Sequence, residues 1–587
     1  MDYDILKTNG AATALAKDLK RCKVIAWDTE TSGLDWIRGE SYWHQYSDAK
    51  RSYLVDIRKV DVQIFKPVLQ GKGIKIIHNS AFDAAWTARE HRIYTQNIYD
   101  TRIGEQIVLG VALGRGLTKV EKARYEPLYS ASLKYCLQRR GLPDKFEFEP
   151  FFKDVDPSPE QLLYMVRDVD QLHALREDQL DSIYRMGLAN VSQLENAVTE
   201  IIYTMMVNGF AVDTYGWLAE TQGEEEQYNA ALAELNKIAA INWNSWQQYY
   251  KFFGITGTDV IEQIHSADQF PGNKRERETK FKAVLLWKKA RLHYKNVTTY
   301  GREWIAQHVV DGLVRCQYTQ IVNTARLSCD NPNLQNIPSD TFHRSYMVPG
   351  HGKNNLFGIA DFSGQEMAIM AVGSGEESWL TCLRSGGDLH FKVASEILED
   401  WDSWDDKERA RQRKIVKIIN FSIAYGAGVA TIAYRAGTTE QEITVRLARM
   451  KRQYPALFKW LNENGARAKR TAESFSLPPF NRYRSLALET EGWRRVNIGK
   501  NNPVQSTAAD MTKLSMYYFY QEIKAGLPAL LIHQLHDELI IEFKPKDAKR
   551  CTAALVAAMD RACSEILGEP LSRPEVKVQA NWDKRKE

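Results

Sequence analysis

Leu356-Phe357-Gly358-Ile359-Ala360-Asp361-Phe362-Ser363-Gly364-Gln365-Glu366 is an apolar run that delivers one carboxylate near its end and a second five residues on. Four to eight apolar residues bounded by turn signals read as a buried β-strand, which sets Asp361 where the backbone begins to turn. A lone Asp there serves equally well as a turn cap, so a second acid-tipped element is needed to decide. It lies far downstream. Leu530 to Ile541 reads Leu-Leu-Ile-His-Gln-Leu-His-Asp-Glu-Leu-Ile-Ile, two apolar segments with His536-Asp537-Glu538 at their tip, the pattern of a β-hairpin with acids at its turn. Two acid-tipped β elements can share a pair of divalent ions.

At 587 residues the chain exceeds what one core supports, so two or more domains are expected. No stretch approaches the apolar length of a membrane span, and Met1-Asp2-Tyr3-Asp4-Ile5-Leu6-Lys7 lacks the apolar core of a secretory signal. Seven cysteines without paired spacing suit reduced thiols and write no zinc site. A monomer in a cytoplasmic compartment, without membrane, is the expectation. The net charge of +4 is nearly balanced, so any nucleic-acid footprint must be local.

Nearer the N-terminus, Lys23-Val24-Ile25-Ala26-Trp27-Asp28-Thr29-Glu30-Thr31 is an apolar strand ending in Asp-x-Glu, and residues two apart on a strand share a face. Ile74 to His78 reads as another strand leading into Asn79-Ser80-Ala81-Phe82-Asp83, where Asp83 opens the next helix. Ser158-Pro159-Glu160 signals a further helix start, with Tyr164 and Asp168 four apart on one of its faces. Singly, each acid is a cap or a solvated group; jointly, four carboxylates and a phenol converge.

This set, Asp28-x-Glu30, Asn79-x-x-Phe82-Asp83 and Tyr164-x-x-x-Asp168, resembles the three motifs of the 3′–5′ proofreading exonucleases, which have an RNase H-like fold. Ser132-Leu133-Lys134-Tyr135 is similar to the segment between the second and third motifs. The resemblance implies two divalent ions held by Asp28, Glu30, Asp83 and Asp168, with Tyr164 orienting the attacking water, chemistry that paired ions make feasible at neutral pH.

Further along, Asn273 to Lys295 is dense in Lys and Arg with Phe281, Trp287 and Tyr294 interleaved, which suits either a basic helical pair on a phosphate backbone or a solvated charged face. Thr324-Ala325-Arg326-Leu327-Ser328 and Asn333-Leu334-Gln335-Asn336-Ile337-Pro338 carry polar side chains fit for minor-groove contacts. Arg413, Lys417, Phe421 and Tyr425 recur every four residues, ahead of Gly426. Aromatics at that spacing ordinarily pack inward, but two cations on the same stripe make a surface able to hold a triphosphate and stack a base.

In this order the segments resemble the family A DNA polymerases, from roughly Glu195 to the C-terminus. Asn501-Asn502-Pro503-Val504-Gln505 is similar to the start of that family's palm helix. The implied architecture is multidomain α/β: an RNase H-like exonuclease domain over 1–190, then a right-hand polymerase domain over 191–587, with thumb about 214–300, fingers about 400–490 and palm the remainder. The resemblance implies Mg2+, two per active site, with Mn2+ as a substitute. Asp361, Asp537 and the carbonyl of Phe362 hold these ions beside Glu538. Arg413 and Lys417 bind the incoming deoxynucleoside triphosphate, Phe421 and Tyr425 flank the nascent pair, and Glu366 lies against the sugar. Arg326, Gln335, Asn336, Asn501, Gln505 and His536 meet the primer-template DNA.

Departures from the family are also visible. After Asp361 only Ser363 and Glu366 keep the usual pattern, Asn497 stands where an Arg is common, and Ala325 replaces a Gly, expected to matter little. The exonuclease strand begins about twenty residues in, so no 5′-nuclease is expected. A dead polymerase carrying a nuclease, a single-subunit RNA polymerase and a replication scaffold are the competing readings. Asp361, Lys417 and Asp537 together oppose the first, Glu366 and the nuclease motifs the second, and the acids as a set the third. A processivity partner is not readable.

Overall fold

Six strands from the N-terminal third pair into one sheet: β1 (Tyr3–Leu6), β2 (Val24–Thr31), β3 (Ser41–Ser47), β4 (Ser52–Asp56), β5 (Ile74–Ile77) and β6 (Ile98–Asp100), in the order β1-β4-β3-β2-β5-β6. The computed structural model describes residues 2–111, 113, 118–143, 153–339 and 342–583. Ala26 and Trp27 are buried, and Asp28 and Glu30 follow at the same strand's partly open end. β5 runs parallel to β2 only along Val24–Ala26, so the acid-bearing end of β2 extends beyond it. Helix Pro159–Asp170 packs on β2, β3 and β4. It starts where Ser158 and Gln161 exchange hydrogen bonds in a capping box, with Pro159 in the first turn. Met165, Val166 and Val169 turn inward and carry Asp168, 3% exposed, in with them.

The organising strand, Leu356–Phe362, is a central strand of a four-stranded antiparallel sheet, between Glu538–Phe543 and Pro574–Gln579, with Ala529–Leu535 beyond. Asp361 therefore lies one residue inside the strand instead of at its end. Gly358 is required by packing: a Cβ there would meet the Phe543 ring at 2.8 Å and Ile541 at 3.0 Å. Helices Ala548–Leu567 and Gly492–Lys524 pack together behind this sheet.

The contacts divide the chain into two compact units, one of Met1–Gly209, Cys316–Gln335 and Asn355–Gln579, the other of Phe210–Arg315, Asn336–Asn354 and Ala580–Glu587. The second has its own core around Trp243, Tyr249, Phe253 and Trp287. Its basic stretch is a single helix, Lys274–Tyr300, and not a helical pair. That helix buries Ala283, Val284, Trp287 and Ala290, and some cations are already paired, Arg277 with Asp268 at 3.2 Å and Arg291 with Glu262 at 3.6 Å. Among the described residues no helix is long and apolar enough to cross a membrane.

Candidate active sites

The N-terminal acids converge by strand alternation and one helix face. Carboxylate oxygens of Asp28, Glu30 and Asp168 lie within 4.8 Å of one another. Gln45, on the neighbouring strand, donates its Nε2 to Glu30 Oε1 at 3.2 Å and so fixes one of them. Tyr164 lies one turn before Asp168 on the same helix, partly buried against Tyr42, Trp43 and Leu54. The fourth predicted ligand behaves differently. Asp83, in the first turn of helix Ser80–His91, accepts from the Thr29 N–H at 3.1 Å and its hydroxyl at 2.6 Å through one oxygen. It stands outside the three-acid group, and burial, with Asp100 adding repulsion, pushes its carboxyl up to about 7. Asn79 just ahead takes a left-handed conformation, φ 69°, pinned by Asp100, which accepts from the N–H of Asn79 at 3.0 Å and of Ser80 at 2.7 Å. A close, all-carboxylate donor set of this kind suits a hard divalent cation such as Mg2+ or Mn2+.

The second acid centre forms at the four-stranded sheet. Leu535 pairs with Glu538, so His536 and Asp537 alone make the hairpin tip, and Glu538 pairs with Asp361 on the organising strand. The Phe362 N–H donates to the Asp537 carbonyl at 3.4 Å. Burial first, and then the neighbouring Asp361 carboxylate, push Asp537 up to about 7. Two crowded carboxyls need a shared proton or a cation between them, so this donor set also fits a divalent ion. Glu538 is buried, 1% exposed, whereas His536 is exposed and left-handed at φ 56°.

Glu366 joins three predicted contacts. Its carboxylate accepts from Arg326 Nη2 at 2.7 Å and from the Tyr425 hydroxyl at 3.0 Å, and Gln505 hydrogen-bonds that same phenol. Helix Asp406–Ala424 settles the question of its stripe. Ile415, Val416, Ile419 and Ile423 form the buried side, leaving Arg413, Lys417, Phe421 and Tyr425 partly or wholly accessible. Arg413 Nε donates to Asp388 Oδ2 at 2.7 Å, and Lys417 Nζ lies 5.9 Å from the Phe421 ring centre. Asn497 packs on Gly426: a Cβ there, at φ 64°, would meet its amide oxygen at 2.6 Å.

Gln335 donates to the Gln534 carbonyl at 3.1 Å, and Asn501 is partly buried on helix Gly492–Lys524. Asn336 belongs to the second unit, its carbonyl accepting from Tyr300 at 2.9 Å. Ala325 is not the minor change expected. Its φ of 62° is left-handed, a conformation that costs a residue with a Cβ and that glycine adopts freely. Sequence reasoning also missed Thr29, Gln45, Asp100 and Asp388. Thr29 was legible as the residue between two acids, and Asp388 as a helix cap two before His390; Gln45 carried no signal.

Residues 220–584 match the family model of DNA polymerase family A, and residues 3–180 match that of a 3′–5′ exonuclease. The protein belongs to DNA polymerase family A and carries a 3′–5′ exonuclease domain ahead of the polymerase domain. DNA polymerase I of Aquifex aeolicus is 24% identical over 615 aligned residues, covering 100% of both chains. That of Pseudomonas aeruginosa is 25% identical, covering 99% of this chain and 66% of the relative. The Chloroflexus aurantiacus enzyme is 30% identical over 284 residues, and there the match covers 46% of this chain and 29% of the relative. The POL domain of Pol1 from M. smegmatis, solved in complex with DNA primer-template and dNTP, has the same fold, with a TM-score of 0.81 at 19% identity over 99% of each chain.

Proposed function

We propose that the chain extends a DNA primer on a DNA template at the Asp361–Asp537 centre and excises misplaced 3′ nucleotides at the Asp28–Glu30–Asp168 centre. The exonuclease domain then spans about 1–190 and the polymerase domain 191–587. One observation carries the reading: the two acid groups are built on different sheets, and Glu366, five residues after Asp361, bonds Tyr425 at the end of a helix that keeps Arg413, Lys417 and Phe421 off its buried side. Divalent cations, Mg2+ with two per centre, supply the charge neutralisation for in-line phosphoryl displacement.

The protein's own groups do the rest. Asp361 and Asp537, with the Phe362 carbonyl, hold the cations, and buried Glu538 shapes their surroundings. Arg413, released from Asp388, and Lys417 neutralise the triphosphate; the guanidinium offers a bidentate fork and the ammonium a point charge. Phe421 and Tyr425 present ring faces to the nascent pair. Glu366, held by Arg326 and Tyr425, walls off the position of a ribose 2′-hydroxyl. Gln335, Asn336, Asn501, Gln505 and His536 meet primer and template as polar, sequence-neutral contacts. In the other centre Asp83 acts through Thr29, keeping β2 in place between Asp28 and Glu30, and Tyr164 orients the water. The chain works as a monomer. Primer extension with deoxy- or ribonucleotides, run beside degradation of a free single strand, tests the reading; ribonucleotide preference, or loss of either activity, would overturn it.

A further inference from the structure

Two buried thiols meet at the hairpin formed by Gln317–Thr319 and Ser328–Asp330. Tyr318 is paired directly with Cys329, and Cys316 stands two residues before Tyr318, so the three side chains share one face with Cys316 diagonal to Cys329. Their sulfurs are in hydrogen-bond contact, Cys316 donating to Cys329. Two other buried cysteines, Cys551 and Cys563, instead donate to the carbonyls of Pro528 and Glu569, at 3.8 and 3.7 Å.

The two neighbouring thiols are unlike. Cys329 also accepts from the N–H groups of Gln335 and Leu334, and it lines a cleft of about 1250 Å³. Pockets that enclose small molecules hold roughly 300–1,000 Å³, so a peptide-sized disulfide can enter. The bond from Cys316, with those two N–H groups, holds Cys329 below the ordinary thiol range against the effect of burial. Cys316 is buried and absent from the cleft lining, and burial pushes it up. A stabilised thiolate within reach of a dissolved reagent, backed by a protonated neighbour, is the arrangement of a redox-active pair. The hairpin also touches the second acid centre. The Tyr318 hydroxyl bonds His533 Nδ1, on the strand that leads to His536 and Asp537. Arg326, three residues before Cys329, reaches Glu366 at 2.7 Å.

We propose that Cys316 and Cys329 form a reversible modification site for a low-molecular-weight disulfide, and that closing it displaces Arg326 and slows primer extension. The Cys329 thiolate attacks one sulfur of the reagent; the other sulfur leaves and takes up the proton that Cys329 released. Cys316 then attacks the Cys329 sulfur of the mixed disulfide, and its proton goes to the second departing thiolate. Two protein thiols are oxidised and one reagent disulfide is reduced to two thiols. The protein sulfurs close from hydrogen-bond contact to a bond of about 2.05 Å, drawing Cys329 off the Gln335 and Leu334 N–H groups and moving the loop that carries Arg326. The effect on extension rests on the two-centre reading above; the disulfide does not.

The full chain, reduced and then freed of reductant, is incubated with glutathione disulfide, quenched with N-ethylmaleimide and mapped by mass spectrometry, beside C316A and C329S. In wild type a cross-linked Cys316–Cys329 peptide forms, and extension falls roughly ten- to a hundredfold, the range that a misplacement of about 1 Å can cost. Degradation of single strands is unchanged, and dithiothreitol restores extension. C316A stops at one glutathione on Cys329, C329S takes up none at Cys316, and both extend primers at the reduced wild-type rate before oxidation. Absence of the cross-linked peptide from oxidised wild type, or glutathione on Cys316 in C329S, would overturn the site. A cross-linked chain that extended at the reduced rate would overturn the link to Arg326. Reduced wild type that failed to extend at all would overturn the polymerase reading, with the cross-link still read by mass.

Discussion

The two acid centres of this chain are assembled in opposite ways. The exonuclease centre draws Asp28 and Glu30 from one strand and Asp168 from one helix that packs on the same sheet, and its supports Gln45, Thr29 and Asp100 come from that sheet too. The proposed polymerase centre gathers Arg326, Asp361, Glu366, Tyr425, Gln505 and Asp537 from segments spread over more than two hundred residues, and one carboxylate, Glu366, ties Arg326 to Tyr425. A centre built on one sheet stands or falls by its own ligands. One tied through a single side chain loses selectivity before it loses chemistry.

Mutual independence is the largest effect expected. Asp361→Ala or Asp537→Ala should lower nucleotide addition by several orders of magnitude, each factor of ten being about 1.4 kcal/mol of barrier, while degradation of single strands persists. Asp28→Ala with Glu30→Ala should abolish degradation and leave correct-pair extension nearly unchanged, so that mismatched termini accumulate. Rates are read beside melting curves, because removing crowded like charges also changes stability. Loss of extension in the Asp28/Glu30 variant would show that the centres are not independent.

Next in size is the tie itself. Glu366→Ala frees Arg326 and Tyr425 together, so ribonucleotide incorporation should rise and deoxynucleotide kcat/KM should fall, each by about ten- to a hundredfold, the scale of a pocket contact worth a few kcal/mol. Glu366→Gln keeps the volume and one acceptor and should fall between. Equal deoxy-over-ribo selectivity in all three proteins, measured by single turnover, would remove Glu366 from sugar choice.

How much of this was legible depends on range. The acid-bearing strands, the hairpin tip and the helix start at Ser158 are encoded within a few residues, so periodicity and turn chemistry reached them. The helix Asp406–Ala424 was ambiguous, because spacing gives a stripe but not which side of the helix meets a core; Ile415, Val416, Ile419 and Ile423 resolve that only once their neighbours are in place. The place of Asp83 was hidden for a related reason. Its bonds from the Thr29 N–H and hydroxyl join residues 54 positions apart, which no local pattern states. The left-handed backbone at Ala325 was unreadable, since alanine is the last residue type to announce it.

The position of Asp83 has a pH signature. A carboxyl whose folded pKa of about 7 exceeds the unfolded value of about 3.9 binds its proton more tightly in the folded chain. It therefore contributes stability at low pH that is lost as pH rises from about 4 through about 7. Asp83→Asn keeps an oxygen acceptor for Thr29 without the titration. In EDTA its melting temperature relative to wild type should climb by a few degrees between pH 5 and pH 8. A difference constant across that range would show that Asp83 is not held protonated by burial.

The smallest effect separates the two centres by backbone strain. Each has a left-handed residue beside its acids or their partner, Asn79 at φ 69° in one and Ala325 at φ 62° in the other. Asn tolerates that conformation, and Asp100 pins the turn; Ala does not, at roughly 1–2 kcal/mol. Ala325 is nonetheless held there, 3% exposed with its N–H on the Val322 carbonyl at 2.7 Å, and the next residue, Arg326, reaches Glu366. Ala325→Gly removes the Cβ penalty but gives the unfolded chain more freedom, about 0.5–1 kcal/mol in the other direction. The net gain should be about 0.5–1 kcal/mol by denaturant unfolding, with extension rates within a factor of two of wild type. Asn79→Gly should gain nothing and lose about 1–2 kcal/mol, because besides the entropy term it removes the amide oxygen that accepts from Arg102 Nη1 at 2.8 Å. Equal gains at both positions would mean that the strain is shared and that the polymerase centre is no more stressed than its neighbour.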